Sequence, residues 1–263
     1  LWTIKKELYG ITTIMNYSGM EEMMKVQAVT DVGRERSVNQ DYVYYSLTET
    51  GSLPNLFLVA DGMGGHKAGD MASRYTVETF VSLVQDSTLK DPVSIINNAV
   101  TQVNRRLLQK AAESENYEGM GTTLVAATVY DNILRVANVG DSRLYILGNE
   151  ITQITRDHSL VEEMVSMGEI NREQARNHEK KNIITRALGI QDEAQIDLFP
   201  FRVETGNRYL LCSDGLTNMV EDTELCRLIS QKKDISEIGA VLILIGKKFG
   251  GVDFIAVVLV ELV

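Results

Sequence analysis

The chain has 263 residues, 44% hydrophobic and 24% charged, which supports a real core and excludes a disordered chain. A formal charge of −10 without any Lys/Arg block argues against a nucleic-acid partner, since neutralising phosphates needs a basic surface; a bound cation suits the sign better. The two cysteines, Cys212 and Cys226, are too few for a disulfide framework and lack metal-ligand spacing, so a reducing compartment is expected.

Residues 1–24 have neither the basic start nor the continuous apolar run of a signal peptide. They are expected to be an appendage, and the protein to be cytoplasmic with no membrane insertion. With only three prolines and no Pro/Gly/Ser-rich linker, residues 25–263 are expected to form one domain.

A strand over 26–30 leads through the turn Asp31-Val32-Gly33 into a polar loop, and Asp41 precedes the apolar-aromatic run 42–45. The buried run 56–60 ends at Asp61, followed at once by Gly62-Met63-Gly64-Gly65-His66. A carboxylate is thereby placed where the backbone is free to approach a ligand. Asp70 is read as the cap of a helix with Ala72, Tyr75, Phe80, Leu83 and Val84 on its apolar face. Asp91-Pro92 starts a second helix, striped by Ile96, Val100, Val103 and Leu107.

Strands at 123–130 and 133–139 flank Asp131-Asn132, and strands at 142–147 and 150–154 flank Gly148-Asn149. Both are two-residue hairpin loops, and together they are expected to form a meander. Residues 157–189 change to short charged helical pieces, at 160–167, 172–177 and 182–188, and read as a flap. Strands follow at 196–203 and 208–212, helices at 222–230 and 236–249, and a last strand at 254–260. The helix at 236–249 has almost no polar face and is expected to be buried on most sides. Strands, paired helices and strands again indicate antiparallel α+β.

Taken alone, an Asp-Gly step is a plain turn. Here it recurs at Asp214-Gly215 after the apolar run 209–213, while Asp41, Asp141 and Asp253 also border strand-like segments. An oxygen-only ligand set selects Mg²⁺ or Mn²⁺ over Zn²⁺, and the chain has only three histidines, His66, His158 and His178. Two such ions roughly 3.5–4 Å apart can share a water and hold a phosphoryl group for in-line attack.

These residues fall into an ordered set of motifs: Arg36-Ser37-Val38-Asn39-Gln40-Asp41, Asp61-Gly62-Met63-Gly64-Gly65-His66, Gly121-Thr122-Thr123, Val139-Gly140-Asp141-Ser142-Arg143, Asp157-His158-Ser159, Ile184-Thr185-Arg186-Ala187-Leu188-Gly189, Cys212-Ser213-Asp214-Gly215-Leu216 and Gly250-Gly251-Val252-Asp253. In this order the chain resembles, over roughly 25–263, the metal-dependent Ser/Thr protein phosphatases of the protein phosphatase 2C type, in their bacterial branch.

The resemblance implies a four-layer α-β-β-α sandwich carrying two or three Mg²⁺ or Mn²⁺ ions, and hydrolysis of phosphoserine or phosphothreonine by direct attack of a metal-bridging water. It implies that Asp61 bridges two metals, that the Gly62 carbonyl binds one, and that Asp214 and Asp253 complete the other. Asp41 would hold water on a metal, and Asp141 with Asp214 a third ion. Arg36 would bind substrate phosphate, and His66 would be the general acid. Arg143 reads instead as a structural ion-pair partner. The implied partners are phosphorylated proteins and an opposing Ser/Thr kinase, with the phosphatase monomeric.

Two departures stand out. Gln40 takes the place of a common Glu, and Phe254 and Ala256 take the places of the usual Asn and Thr or Ser after Asp253. They leave open a catalytically impaired binding or regulatory module. A partner-switching phosphatase acting on a phosphorylated regulator is a further alternative.

Overall fold

The computed structural model describes residues 11–14, 24–65, 68–148, 150–231 and 234–263. In chain order the elements are β1 (Ile11–Ile14), β2 (Met24–Asp31), β3 (Asp41–Ser46), β4 (Leu56–Met63), α1 (Ala68–Gln85), α2 (Pro92–Ala111), β5 (Gly121–Thr122), β6 (Leu124–Tyr130), β7 (Ile133–Val139), β8 (Arg143–Leu147) and β9 (Ile151–Gln153). There follow α3 (Leu160–Ser166), α4 (Arg172–Arg176), β10 (Asp197–Arg202), β11 (Arg208–Cys212), α5 (Asp214–Thr217), α6 (Asp222–Gln231), α7 (Ile235–Lys248) and β12 (Ile255–Leu262).

Two antiparallel sheets form the centre, one ordered β10-β7-β6-β4-β3 with β5 beside β4, the other β1-β2-β12-β11-β8-β9. Strand alternation decides the layers, because successive side chains point to opposite faces. Phe57, Val59, Val125 and Val136 of the first sheet meet Leu144, Tyr209, Leu211 and Val258 of the second in a shared core. The opposite face of the first sheet packs Leu58, Ala60 and Ala126 against Phe80, Ile96, Val100 and Val103 of α1 and α2. The second sheet packs Leu210, Val257 and Leu259 against Leu225, Ile229, Ile238 and Leu242 of α6 and α7. The result is the expected four-layer α-β-β-α sandwich.

Local signals behave as their chemistry requires at α2, where the Asp91 carboxylate accepts the Ser94 N–H at 2.8 Å and Pro92 begins the helix. Asp131 and Asn132 both have positive φ, 51° and 56°, the signature of a type I′ hairpin.

Five expectations change. The hairpins β6–β7 and β8–β9 do not form one meander, because they lie in different sheets. Gly140, at φ 107°, carries the chain across, and a side chain there would meet Thr123 Cγ2 at 2.5 Å. The helical piece expected at 182–188 is absent; Ile184 and Leu188 instead form isolated bridges to Ser159 and Thr122. Asp70 lies within the first turn of α1 rather than at its cap. Asp61 does not end its strand, since β4 continues to Met63 by pairing with β5. Finally, α7 buries one face against the sheet and leaves Leu244 66% exposed, so it is a one-sided helix.

Within the segment read as an appendage, Ile11–Ile14 add an edge strand to β2; the rest of 1–23 lies outside the described residues. Among the described residues no helix is long and apolar enough to cross a membrane.

Candidate active site

The ends of β4, β7 and β11 and the start of β12 bring their flanking residues to one cleft of about 610 Å³, lined by Arg36, Asp61, Gly62, Asp141, Asp214 and Asp253. Asp41 is not in the lining; it is 4% exposed and stands opposite Asp61 in the β3–β4 ladder. Asp41 and Asp61 come from one sheet, Asp141 from the crossing between sheets, and Asp214 and Asp253 from the ends of β11 and β12 in the other. His66 lies outside the described residues.

The peptide around Asp61 is clamped on both sides. Its N–H donates to Thr123 Oγ1 at 3.0 Å, while its carbonyl accepts Thr122 Oγ1 at 2.8 Å and the Thr123 N–H at 2.8 Å. Thr123 Oγ1 is in turn 2.7 Å from Ser142 Oγ. The Gly62 N–H donates to the Gln40 carbonyl at 3.1 Å, and Gln40 Nε2 donates to the Gly65 carbonyl at 2.8 Å. At this position the amide thus ties down the glycine loop.

Asp41 is oriented from the opposite sheet. Ser213 Oγ donates to Asp41 Oδ2 at 2.6 Å and accepts the Ala256 N–H at 2.9 Å, while the Ser213 N–H donates to the Ala256 carbonyl at 3.1 Å. Ala256 makes this tie with its backbone, so the tie does not require a polar side chain there. Asp214 Oδ2 accepts Asn218 Nδ2 at 2.9 Å. Asp253 Oδ2 accepts Arg36 Nη2 at 3.3 Å, and Oδ1 accepts the Phe254 N–H at 3.0 Å.

Packing these carboxylates together is electrostatically costly. Burial, followed by the charges of Asp214 and Asp253, pushes Asp41 from its ordinary 3.8 up to about 8 against the lowering hydrogen bond from Ser213. Burial and then Asp41, Asp214 and Asp141 hold Asp61 well above the usual carboxylate range. Burial and then Asp214 do the same for Asp141, and burial and then Asp253 raise Asp214.

Such a cluster fits divalent cations. Its donors are all oxygen, Asp41 Oδ1 is buried with no hydrogen-bond donor facing it, and positive charge would relieve the repulsion that raises the carboxyl groups. Among the described residues, no three or more His, Cys, Asp or Glu side chains form a ready-made cage for one ion. Asp253 is turned towards Arg36, so closing round an ion requires that contact to yield.

The linkage has a definite sign. A carboxyl group raised in the folded state binds protons that the unfolded chain has already released, so metal-free stability falls as pH rises from about 4 towards 8. Thermal unfolding in chelator is expected to show a Tm that drops between pH 5 and pH 8, with Mn²⁺ restoring it most at the alkaline end. A Tm that stays flat in chelator and is indifferent to Mn²⁺ would contradict this assignment.

Other motif residues support the site. Arg143 grips Asp157 with Nε at 2.9 Å from Oδ1 and Nη2 at 2.7 Å from Oδ2, the structural pairing expected for it. His158 Nδ1 accepts the Gly140 N–H at 3.1 Å, and Nε2 lies 3.1 Å from Asp197 Oδ2. Burial pushes its pKa down, and a ring accepting at Nδ1 is neutral. The duties of Ser213, Thr122, Thr123 and Ser142 are not legible from sequence spacing. Their motifs were visible, but the partners lie across the fold.

A family model described as Protein phosphatase 2C matches residues 32–239. The serine/threonine phosphatase stp of Listeria monocytogenes is 40% identical over 243 residues, covering 90% of this chain and 96% of its own length. The crystal structure of the serine/threonine phosphatase Stp1 from Staphylococcus aureus superposes with a TM-score of 0.84 at 34% identity, over 94% of this chain and 99% of that one. The catalytic domain of the serine/threonine protein phosphatase PstP, solved in complex with two manganese ions, gives a TM-score of 0.80 at 34% identity, over 92% and 99% respectively.

Proposed function

The chain belongs to the bacterial protein phosphatase 2C family, and from that premise we propose that the cleft hydrolyses phosphoserine and phosphothreonine on proteins, in opposition to a Ser/Thr kinase. It is a protein-serine/threonine phosphatase dependent on divalent metal. The observation that carries the site reading is the convergence of aspartates from both sheets on a cleft whose only described Lys or Arg is Arg36.

Asp61, Asp214 and Asp253, the Gly62 carbonyl, and Asp41 and Asp141 would hold two or three Mg²⁺ or Mn²⁺ ions. Bound there, the ions would lower the pKa of water and offset the charge of the transferring phosphoryl group. The residues of the chain supply the positioning. Thr122 and Thr123 fix the Asp61 peptide, Ser213 orients Asp41, and Arg36 presents a planar fork of donors to phosphate oxygens. Asn182 and Ile184 of the flap line the same cleft and would shield the phosphoryl group from bulk water. His66 would protonate the leaving alkoxide. Within this reading the protein acts as a cytoplasmic monomer.

The test is hydrolysis of a phosphothreonine peptide, with p-nitrophenyl phosphate as a second substrate. Turnover is expected with Mn²⁺ or Mg²⁺, to fall to background in excess chelator, and to return when metal is added back. Turnover that survives chelation would sink the mechanism, and its absence with every metal would favour the phosphatase-like binding module.

A further inference from the structure

Arg36 does not hang free over the cleft. Its Cζ lies 5.5 Å from the centroid of the Phe254 ring, and Phe254 is only 6% exposed whereas the Arg36 side chain is 51% exposed. The Phe254 backbone is fixed on both sides of its Cα: its N–H donates to Asp253 Oδ1 at 3.0 Å, and its carbonyl lies so near Gly215 that a Cβ there would sit 1.8 Å from the oxygen. A buried aromatic wall thus carries a half-exposed guanidinium at the rim of the cleft.

The two contacts on Arg36 use different parts of the group. The ring centroid lies 5.5 Å from Cζ, a cation–π contact that needs no hydrogen bond. Asp253 takes Nη2 at the edge. The remaining N–H groups stay in the guanidinium plane, available to phosphate oxygens. A shelf of this kind lowers the entropy cost of ordering a long side chain, and an asparagine in the same place has no aromatic face to offer.

We propose that Phe254 is a positioning residue for Arg36, a shelf that holds the guanidinium where substrate phosphate is bound. This rests on the reading of Arg36 as the phosphate-binding residue. It makes the departure after Asp253 a working part of the cleft. The competing account is that Phe254 packs locally and acts only through its neighbour Asp253, which would appear as altered metal affinity.

The experiment compares wild type, Phe254→Leu, Phe254→Tyr, Arg36→Ala and the double variant Arg36→Ala/Phe254→Leu. It reads KM and kcat for a phosphothreonine peptide, calorimetric binding of inorganic phosphate to the Mn²⁺-loaded proteins, and calorimetric Mn²⁺ binding to the metal-free proteins. Phe254→Leu is expected to raise KM and the phosphate Kd about fivefold, the size of a cation–π contact, with kcat within about twofold and Mn²⁺ affinity unchanged. Phe254→Tyr is expected to behave as wild type. In the Arg36→Ala background, Phe254→Leu is expected to add nothing.

An equal effect of Phe254→Leu in the Arg36→Ala background, or one confined to Mn²⁺ affinity, overturns the shelf. If Arg36→Ala weakens phosphate binding and Phe254→Leu does not, the shelf fails while the reading of Arg36 stands. If Arg36→Ala leaves phosphate binding unchanged, that reading fails and the shelf with it. Because phosphate binding is measured without turnover, the shelf is decided even for a wild type that hydrolyses no peptide.

Discussion

Asp61→Asn is expected to lower kcat by about a thousandfold or more, the scale set when several kcal/mol of metal-supplied charge stabilisation is lost. The same substitution is expected to raise the Tm of the metal-free protein. The two effects share a cause: the burial of Asp61, and then the charges of Asp41, Asp214 and Asp141, hold it well above the usual carboxylate range. An amide of nearly equal size removes the repulsion, and with it the charge that would draw cations into the cleft. The Asp61 peptide hydrogen bonds to Thr122 and Thr123 do not involve the side chain, so the fold should persist. Steady-state assays in Mn²⁺ and thermal melts in chelator read the two arms separately. Retained turnover would remove Asp61 from the metal centre, and a lowered metal-free Tm would contradict the electrostatic account.

Gly215→Ala is expected to damage stability and activity together. Gly215 sits within α5, one residue after Asp214, and a Cβ there would lie 1.8 Å from the Phe254 carbonyl oxygen and 2.9 Å from its carbon. Both are backbone atoms of the segment entering β12, so no side-chain rotation relieves the clash. Overpacking of this kind costs about 1–3 kcal/mol or more, and urea unfolding should show a lower midpoint with little change in m. The shift would also separate Asp214 from Asp253. Displacements near 1 Å in a reacting constellation cost about a hundredfold in rate. A variant with the wild-type urea midpoint and wild-type kcat would show that the close approach of α5 to β12 is dispensable.

Much of this architecture was legible because its signals are local. Asp91-Pro92 opens α2 as a capped helix, Asp131-Asn132 has the two positive φ values of a tight hairpin, and the spacing of Ile96, Val100, Val103 and Leu107 matches a stripe that is fully buried. The errors fall where partners are distant. Residues 182–188 carry a helical pattern, yet the backbone of Leu188 is claimed by Thr122 across the fold, with its N–H donating at 2.9 Å. Two hairpins adjacent in sequence looked like one meander, because nothing in a strand's alternation names the sheet it joins. The apolar character of α7 indicated burial without indicating that only one of its faces would be covered.

The family, the α+β class and the set of aspartates at the edges of strands follow from the chain alone, since an ordered series of motifs and the periodicities of strand and helix are written in neighbouring residues. How those aspartates act on one another is a matter of packing. Asp41 and Asp61 are 20 positions apart in the chain but opposite each other in a ladder, and Ser213 reaches Asp41 from the other sheet. The shift of Asp41 to about 8 and the support of Arg36 by Phe254 likewise arise from contacts between segments remote in sequence. Burial and Coulomb interaction depend on distance in space, which sequence spacing does not encode until the two sheets have packed.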